Sequence, residues 1–296
     1  MEEKDKKVYV GTSGWGYDEW VGPFYPKGLK KQDYLTYYTK IFHTNEINTT
    51  FYNIPSRWVV NSWVKKTPKD FVFSAKIPQT ITHDHLLDVD YCLRDLDKYL
   101  HAMEPLIHSK KVWAFLIQLP PFFNQEDHFS NLKEFIDNWP DDYTERNYDL
   151  VVEFRHNSWM NDETFAYLKN NHLTYCAVIE PKLPPRMDVT NPEFAYIRFH
   201  GFGKEIWFDY FFSEEEIHKY ANDVKSVIES ANNVGIYFNN HFSGYAAKDA
   251  LMMMEEINLK PRNEPHEIEI LEVKKASGTY SKGQTSLDKF IDKKKD

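Results

Sequence analysis

Short apolar runs recur along the chain at regular intervals, over residues 8–13, 44–50, 71–76, 112–119, 149–154, 173–179, 194–199 and 234–239. Most are rich in Val, Ile, Phe and Tyr, the pattern of strands buried on both faces of a parallel sheet. The second run is polar and carries the weakest strand pattern. Helical patterns lie between them, over residues 31–42, 56–66, 89–108, 130–139, 162–170, 213–230 and 245–258. Within 89–108, Leu93, Leu96, Leu100 and Met103 repeat at three and four, one face of a helix. Ser213 followed by Glu214, Glu215 and Glu216 is a helix start with acids in the first turn. Residues 181–192 hold four prolines and read as a loop.

Strands alternating with helices over roughly 250 residues predict a (β/α)8 TIM barrel. The alternative is a doubly wound open sheet, which would carry a Gly-rich turn after its first strand. Gly11-Thr-Ser-Gly14-Trp-Gly16 has glycines, but Trp15 is bulky and the spacing is not GxGxxG. The barrel is assigned to residues 1–273, with a last strand or strap over 267–273, and a flexible basic tail to 274–296.

Composition narrows the class. A chain of 296 residues, 42% apolar and 16% aromatic, has ample material for a large core and is not a disordered protein. Two cysteines, Cys92 and Cys176, exclude a disulfide scaffold and point to reduced thiols and a cytoplasmic location. No apolar run approaches the ~18 residues of a membrane helix, and no apolar signal segment follows the charged start, so no membrane is expected. The formal charge is −9; seven Lys against three Asp from residue 274 onward give the tail +4, leaving −13 on the rest. Such a body lacks the broad basic footprint of a sequence-independent nucleic-acid binder, though not a local basic pocket.

In a barrel the chemistry sits where strands end and the following loops begin. Those points carry cations (Lys76, Arg155, Arg198), acids (Glu46, Glu153, Glu180), imidazoles (His83, His156, His200) and amides (Asn48, Gln118, Asn239, Asn240), with the aromatics Trp15, Tyr17, Phe51 and Tyr52 nearby. The segments GTSGWGYDEW, FYP, EINTTFY, FVFSAKIPQTITH, IQLPPFF, VEFRHNSW, YIRFHG and YFNN run in that order from Gly11 to Asn240, about four-fifths of the chain. Together they resemble the DUF72 (YecE-like) family. The resemblance implies a TIM barrel with its pocket at these strand ends, and it implies no particular reaction. The sequence departs from the family at Glu180, where an Asp is usual after the sixth strand; residues beyond Arg262 lie outside the resemblance.

Arg and Lys converging on one pocket suit a phosphate or carboxylate, and amides beside aromatic faces suit a sugar or base. The candidate catalytic residues are Glu153 as base, with His156 or His200 as proton shuttle or metal ligand. The candidate ligand contacts are Trp15, Tyr17, Asn48, Tyr52, Lys76, Gln118, Arg155, Glu180, Arg198, Asn239 and Asn240. A structural ion pair of Glu153 with Arg155 or Arg198, and aromatics that only pack, are the plain alternatives. The histidines admit a divalent metal, but no tight motif such as HExxH requires one, so the cofactor stays open.

The tail carries Gln284, Leu287, Phe290 and Ile291 in the spacing of the peptide box that binds the sliding clamp, PCNA. Leu287, Phe290 and Ile291 would share one apolar face of a helical turn, with Gln284 hydrogen-bonding beside it. The box has a second aromatic where Ile291 stands; the plain alternative is an amphipathic helix that packs on its own barrel. Clamp binding would imply an archaeal or eukaryotic source. The sequence thus points to a barrel that binds or processes a phosphate- or sugar-containing ligand, a nucleotide or nucleic acid, in DNA repair through clamp recruitment; its chemistry would be hydrolysis or elimination at a phosphodiester or glycosidic bond. The alternatives are an isomerase or lyase of small sugar phosphates and a non-catalytic binding module.

Overall fold

The computed structural model describes residues 6–140 and 148–263. Among them, eight strands follow one another as β1 (Lys7–Thr12), β2 (Thr44–Ile47), β3 (Val72–Lys76), β4 (Val112–Gln118), β5 (Asp149–Glu153), β6 (Thr174–Ile179), β7 (Phe194–Phe199) and β8 (Asn233–Phe238). All pair in parallel, in the order β1-β8-β7-β6-β5-β4-β3-β2. The helices are α1 (Tyr34–Tyr38), α2 (Thr49–Tyr52), α3 (Arg57–Lys66), α4 (Val89–His108), α5 (Gln125–Asp137), α6 (Asp162–Asn170), α7 (Glu214–Ser230) and α8 (Tyr245–Glu256). The molecule is a (β/α)8 TIM barrel. The 267–273 segment and the tail residues Gln284, Leu287, Phe290 and Ile291 lie outside the described residues.

Closure between β1 and β2 is made largely by side chains. One isolated bridge joins Ser13 to Glu46, and Gly14 N donates to Glu46 O at 2.7 Å. The Tyr38 hydroxyl accepts from Thr12 N at 2.9 Å and lies 3.1 Å from Thr44 O, while Asn45 Nδ2 donates to Thr12 O at 2.9 Å and Gly14 O at 3.0 Å. These groups stand in for ladder bonds, because buried backbone donors and acceptors must find partners. Gly11 makes the approach sterically feasible: a Cβ there would sit 2.4 Å from Thr44 O.

The core has two parts. Outward-facing residues such as Val10, Ile47, Ala75, Ile197 and Phe238 pack against the helices, where Leu96, Leu100 and Met103 of α4 are buried as their spacing predicts. Inward-facing residues fill the barrel in layers. At the base, Trp113 lies 5.0 Å from Tyr9 and 4.9 Å from Phe194, between ring centroids. Above them Tyr196 and Tyr237 stack at 4.7 Å, and the Tyr237 hydroxyl bonds Thr44 Oγ1 (2.7 Å) and Ser74 Oγ (2.9 Å). The lining therefore grows more polar toward the carboxyl ends of the strands.

Three boundaries differ from the sequence reading. The second strand stops at Ile47 and residues 49–52 turn into α2, where the Thr50 hydroxyl reaches Lys76 O at 2.8 Å. Its polar character is explained by its place, since Thr44 and Glu46 face the polar lumen. The helix expected from 130 starts five residues earlier, at Gln125, because the Asn124 side chain caps Asp127 N at 2.9 Å. Over 31–42 the α-helix is only Tyr34–Tyr38, one turn that carries Tyr38 to the β1–β2 seam. The Ser213 start is a full capping box with Glu216.

Gly11→Ala is expected to destabilise the barrel by about 1–3 kcal/mol through overpacking, read as a lower urea midpoint with an unchanged slope. An unchanged midpoint would mean that β1 and β2 separate at little cost.

Candidate active site

The two-residue period of a strand carries the inward face onward to its carboxyl end. Ser13 follows β1, Glu46 and Asn48 belong to β2 and its end, and Lys76 ends β3. Gln118 ends β4, Glu153 and Arg155 belong to β5, and Glu180 follows β6. Arg198 and His200 belong to β7, and Asn239 follows β8. All eight strands contribute to this mouth.

Arg198 is its centre, 1% exposed. One guanidinium nitrogen donates to Glu46 Oε1 at 2.7 Å and another to Glu153 Oε2. Glu46 also accepts from Ser13 Oγ at 2.6 Å and Tyr196 Oη at 2.7 Å. Glu153 Oε1 accepts from Gln118 Nε2 at 2.7 Å and Arg155 Nε at 2.9 Å, with His200 Nε2 at 3.5 Å. Two guanidiniums thus meet two carboxylates, and each carboxylate is hydrogen-bonded on both oxygens, the condition for tolerating buried charge. Burial alone would push the Glu153 carboxyl up; Arg198 and Arg155 outweigh it and hold the group well below the usual carboxylate range.

Lys76 stands differently. Its Nζ donates to Gln118 Oε1 at 2.7 Å and lies 4.1 Å from the Phe51 ring centroid. The Gln118 amide is oriented by Glu153, which only accepts, so its oxygen faces Lys76. Among the described residues no carboxylate lies within ion-pairing distance of Lys76, which is 8% exposed. Burial and then Arg198 push its pKa down to about 7, with Glu153 and Glu46 opposing.

Two imidazoles are kept neutral. Burial and Arg198 push His200 down to about 4 against the pull of Glu153, and burial with Lys76 and Arg155 does the same for His83. A directed chain of amides reaches His200: Asn48 Nδ2 approaches Asn239 Oδ1 at 3.4 Å, and Asn239 Nδ2 lies 3.0 Å from His200 Nδ1. Glu180 is 6% exposed and its Oε2 has no hydrogen-bond partner among the described residues. Burial, only partly offset by Arg155, raises it to about 6.

Of the other candidates, Tyr17 reaches the rim, its hydroxyl donating to Ser13 O at 2.8 Å beside Asn48, and Tyr52 adjoins Phe51; the rest turn away from the cluster. The His156 ring caps the turn Asn157–Trp159, with Nδ1 3.2 Å from Ser158 N and 2.8 Å from its hydroxyl. Asn240 is fully buried and donates to Asp249 of α8 and to Tyr210 O. Trp15 packs edge-on against Trp63 at 5.8 Å, and Tyr17 lies between Trp20 (5.1 Å) and His241 (4.6 Å). Tyr52 is exposed beside Phe51. Ser13 and Tyr196, absent from the sequence-based set, hold Glu46; the two-residue alternation Tyr196-x-Arg198-x-His200 is the signal that finds Tyr196. Phe51 and His83, read among the strand-end groups but not among the candidate contacts, lie near Lys76, with His83 carried on a π-helical turn, Thr80–Asp84. Among the described residues no group of three or more His, Cys, Asp or Glu side chains converges to hold a metal ion, and no helix is long and apolar enough to cross a membrane.

Arg198→Met strands two buried carboxylates and is expected to cost about 3–5 kcal/mol, read from urea unfolding at pH 7. Because the native Glu153 pKa lies below its ordinary value of 4.5, its stabilisation is present above that value and is lost as pH falls below it. Glu153→Gln should therefore flatten the acid limb of the stability profile; an acid limb unchanged from wild type would contradict this charge assignment.

A family model described as a protein of unknown function, DUF72, matches residues 9–269. The UPF0759 protein YunF of Bacillus subtilis (strain 168) is 23% identical over 278 residues, covering 86% of this chain and 95% of that protein. The UPF0759 protein YecE of Escherichia coli (strain K12) is 32% identical over 149 residues, about half of each chain. A crystal structure of a DUF72 family protein from Thermotoga maritima MSB8 superposes with a TM-score of 0.76 at 34% identity, covering 85% of this chain and 99% of that one. A DUF72 family protein from Enterococcus faecalis V583 gives 0.74 at 26% identity, covering 87% and 98%. With the family model spanning residues 9–269 and the barrel superposing on solved members, this protein belongs to the DUF72 family.

Proposed function

We propose that the barrel mouth binds a small anionic ligand bearing a phosphate or sugar and acts on it by acid–base chemistry. The observation that carries this reading is that Glu180, with a buried carboxyl oxygen that lacks a partner among the described residues, lies within the electrostatic reach of Arg155. Arg155 is the more exposed of the two guanidiniums and is free to turn further donors to an anion. Glu180 presents an unpartnered carboxyl oxygen whose pKa near 6 suits a proton donor at neutral pH. Glu153 is fully buried with both oxygens engaged, which favours a role in holding Arg155, Gln118 and His200 over direct attack. Arg198, spent on Glu46 and Glu153, supports the site from below. This combination favours hydrolase, lyase or isomerase chemistry over a purely binding module. A cytoplasmic setting fits the two free, buried cysteines.

One observation favours a larger nucleotide or nucleic-acid ligand. Four exposed aromatics, Tyr52, Trp58, Tyr91 and Phe122, all follow the carboxyl ends of β2, β3 or β4 on the side of the mouth, and bases stack on such rings. In that second reading the tail residues Gln284, Leu287, Phe290 and Ile291 would tether the barrel to PCNA and place it in DNA repair.

Calorimetric titration with pyrophosphate and ribose 5-phosphate tests the first reading. Wild type should bind one of them, and Arg155→Ala should weaken binding about tenfold or more, the worth of one charge-assisted hydrogen bond. Above pH 6 Glu180 ionises and repels the anion, so affinity should fall as pH rises through 6, and Glu180→Gln should remove that fall. Equal binding by wild type and Arg155→Ala, or none by wild type, would overturn the reading.

A further inference from the structure

We propose that Lys76 is a nucleophilic amine that condenses with an aldehyde or ketone group of the ligand to form an imine. The proposal deepens the reading above and rests on it for the ligand's anionic group. It makes open-chain sugar phosphates, or other phosphorylated carbonyl compounds, the substrate class.

The geometry separates Lys76 from Lys111, a buried lysine just before β4. Lys111 is also buried, but its ammonium is surrounded by Val64 O (3.1 Å), Thr67 O (2.8 Å), Thr67 Oγ1 (2.7 Å) and Pro68 O (2.8 Å). Four oxygens around one ammonium are a structural solvation shell. Lys76 has one oxygen, from Gln118, and the guanidinium of Arg198 as its strongest charged neighbour. A lysine desolvated beside another cation loses its proton readily, and the free amine is the reactive form. Its position at the carboxyl end of β3 is where barrel chemistry is placed.

The neighbours suit the step. Phe51 covers Lys76 Nζ with a ring face that tolerates both the neutral amine and the cationic iminium. His83 meets Phe51 edge-on at 4.9 Å, and its Nδ1 is engaged with the Thr82 hydroxyl at 2.9 Å. Its other ring nitrogen is then the one available to move a proton. In the step the Lys76 nitrogen attacks the carbonyl carbon, and a carbon–nitrogen bond forms as the carbonyl π bond opens. The proton lost by nitrogen passes through His83 to the oxygen, giving the carbinolamine. A second proton, taken up from solvent through His83, converts the hydroxyl to leaving water, and the nitrogen lone pair closes the iminium. No oxidant or reductant is consumed. The iminium then draws electrons from the adjacent carbon, which suits cleavage or proton abstraction there.

The test uses the full chain with glycolaldehyde phosphate, and separately acetaldehyde, in the presence of cyanoborohydride, followed by peptide mass mapping. The expected result is reductive labelling concentrated at Lys76, with a rate that rises through pH 7. Pyrophosphate should protect Lys76 and leave surface labelling unchanged. His83→Ala should slow trapping at Lys76 about a hundredfold, the low end for a proton-transfer group, without changing pyrophosphate affinity. Labelling spread over surface lysines with Lys76 unmodified at pH 8 would overturn the proposal. If pyrophosphate or ribose 5-phosphate still binds in that case, the imine alone fails and the anion site stands; if neither binds, both fail.

Discussion

A guanidinium at the centre of a barrel must be neutralised where water cannot reach it, and Arg198 meets that demand with Glu46 and Glu153. The three residues come from β7, β2 and β5, so the contact crosses the lumen and joins strands that share no ladder. It also binds in β2, whose seam with β1 has only one backbone bridge. Removing water from three charges costs far more than any one hydrogen bond returns. The remaining donors, Ser13, Tyr196, Gln118, Arg155 and His200, are therefore arranged around the two carboxylates.

The chemistry at the rim follows from that arrangement. The carboxylates are consumed by guanidiniums, so Lys76 reaches the negative charge only through the Gln118 amide. Burial, reinforced by Arg198 at His200 and by Lys76 and Arg155 at His83, holds both imidazoles neutral. Glu180, beyond the saturated pair, is left with a free oxygen. One buried ion cluster thus produces an amine, an imidazole and a carboxyl poised for proton transfer, each with a different neighbourhood. Strain or unusual rotamers need not be invoked.

Much of the fold was legible because strands buried on both faces are apolar runs and the helices between them are amphipathic. The polar second strand was the hardest, since its inward face meets Tyr237 and Arg198 instead of aliphatic side chains. The turn at 49–52 and the π-turn at 80–84 were hidden because local side-chain bonding and packing decide them. In the site, strand parity separates neighbours that composition treats alike. Arg155 faces the cluster while His156 caps a turn; Asn239 reaches His200 while Asn240 anchors α8. Beyond Gly14, whose φ of +83° bends the chain, parity no longer applies: Trp15 turns to packing, while the Tyr17 hydroxyl comes back to Ser13 O.

The measurement closest to the centre of this account is an NMR titration of the lysine side chains in the full chain. The account expects one lysine, missing from the spectrum of Lys76→Met, to titrate near pH 7. A Lys76 resonance that titrates with the rest would contradict it, because the cluster around Arg198 would then leave enough negative charge to keep that ammonium as stable as it is in water.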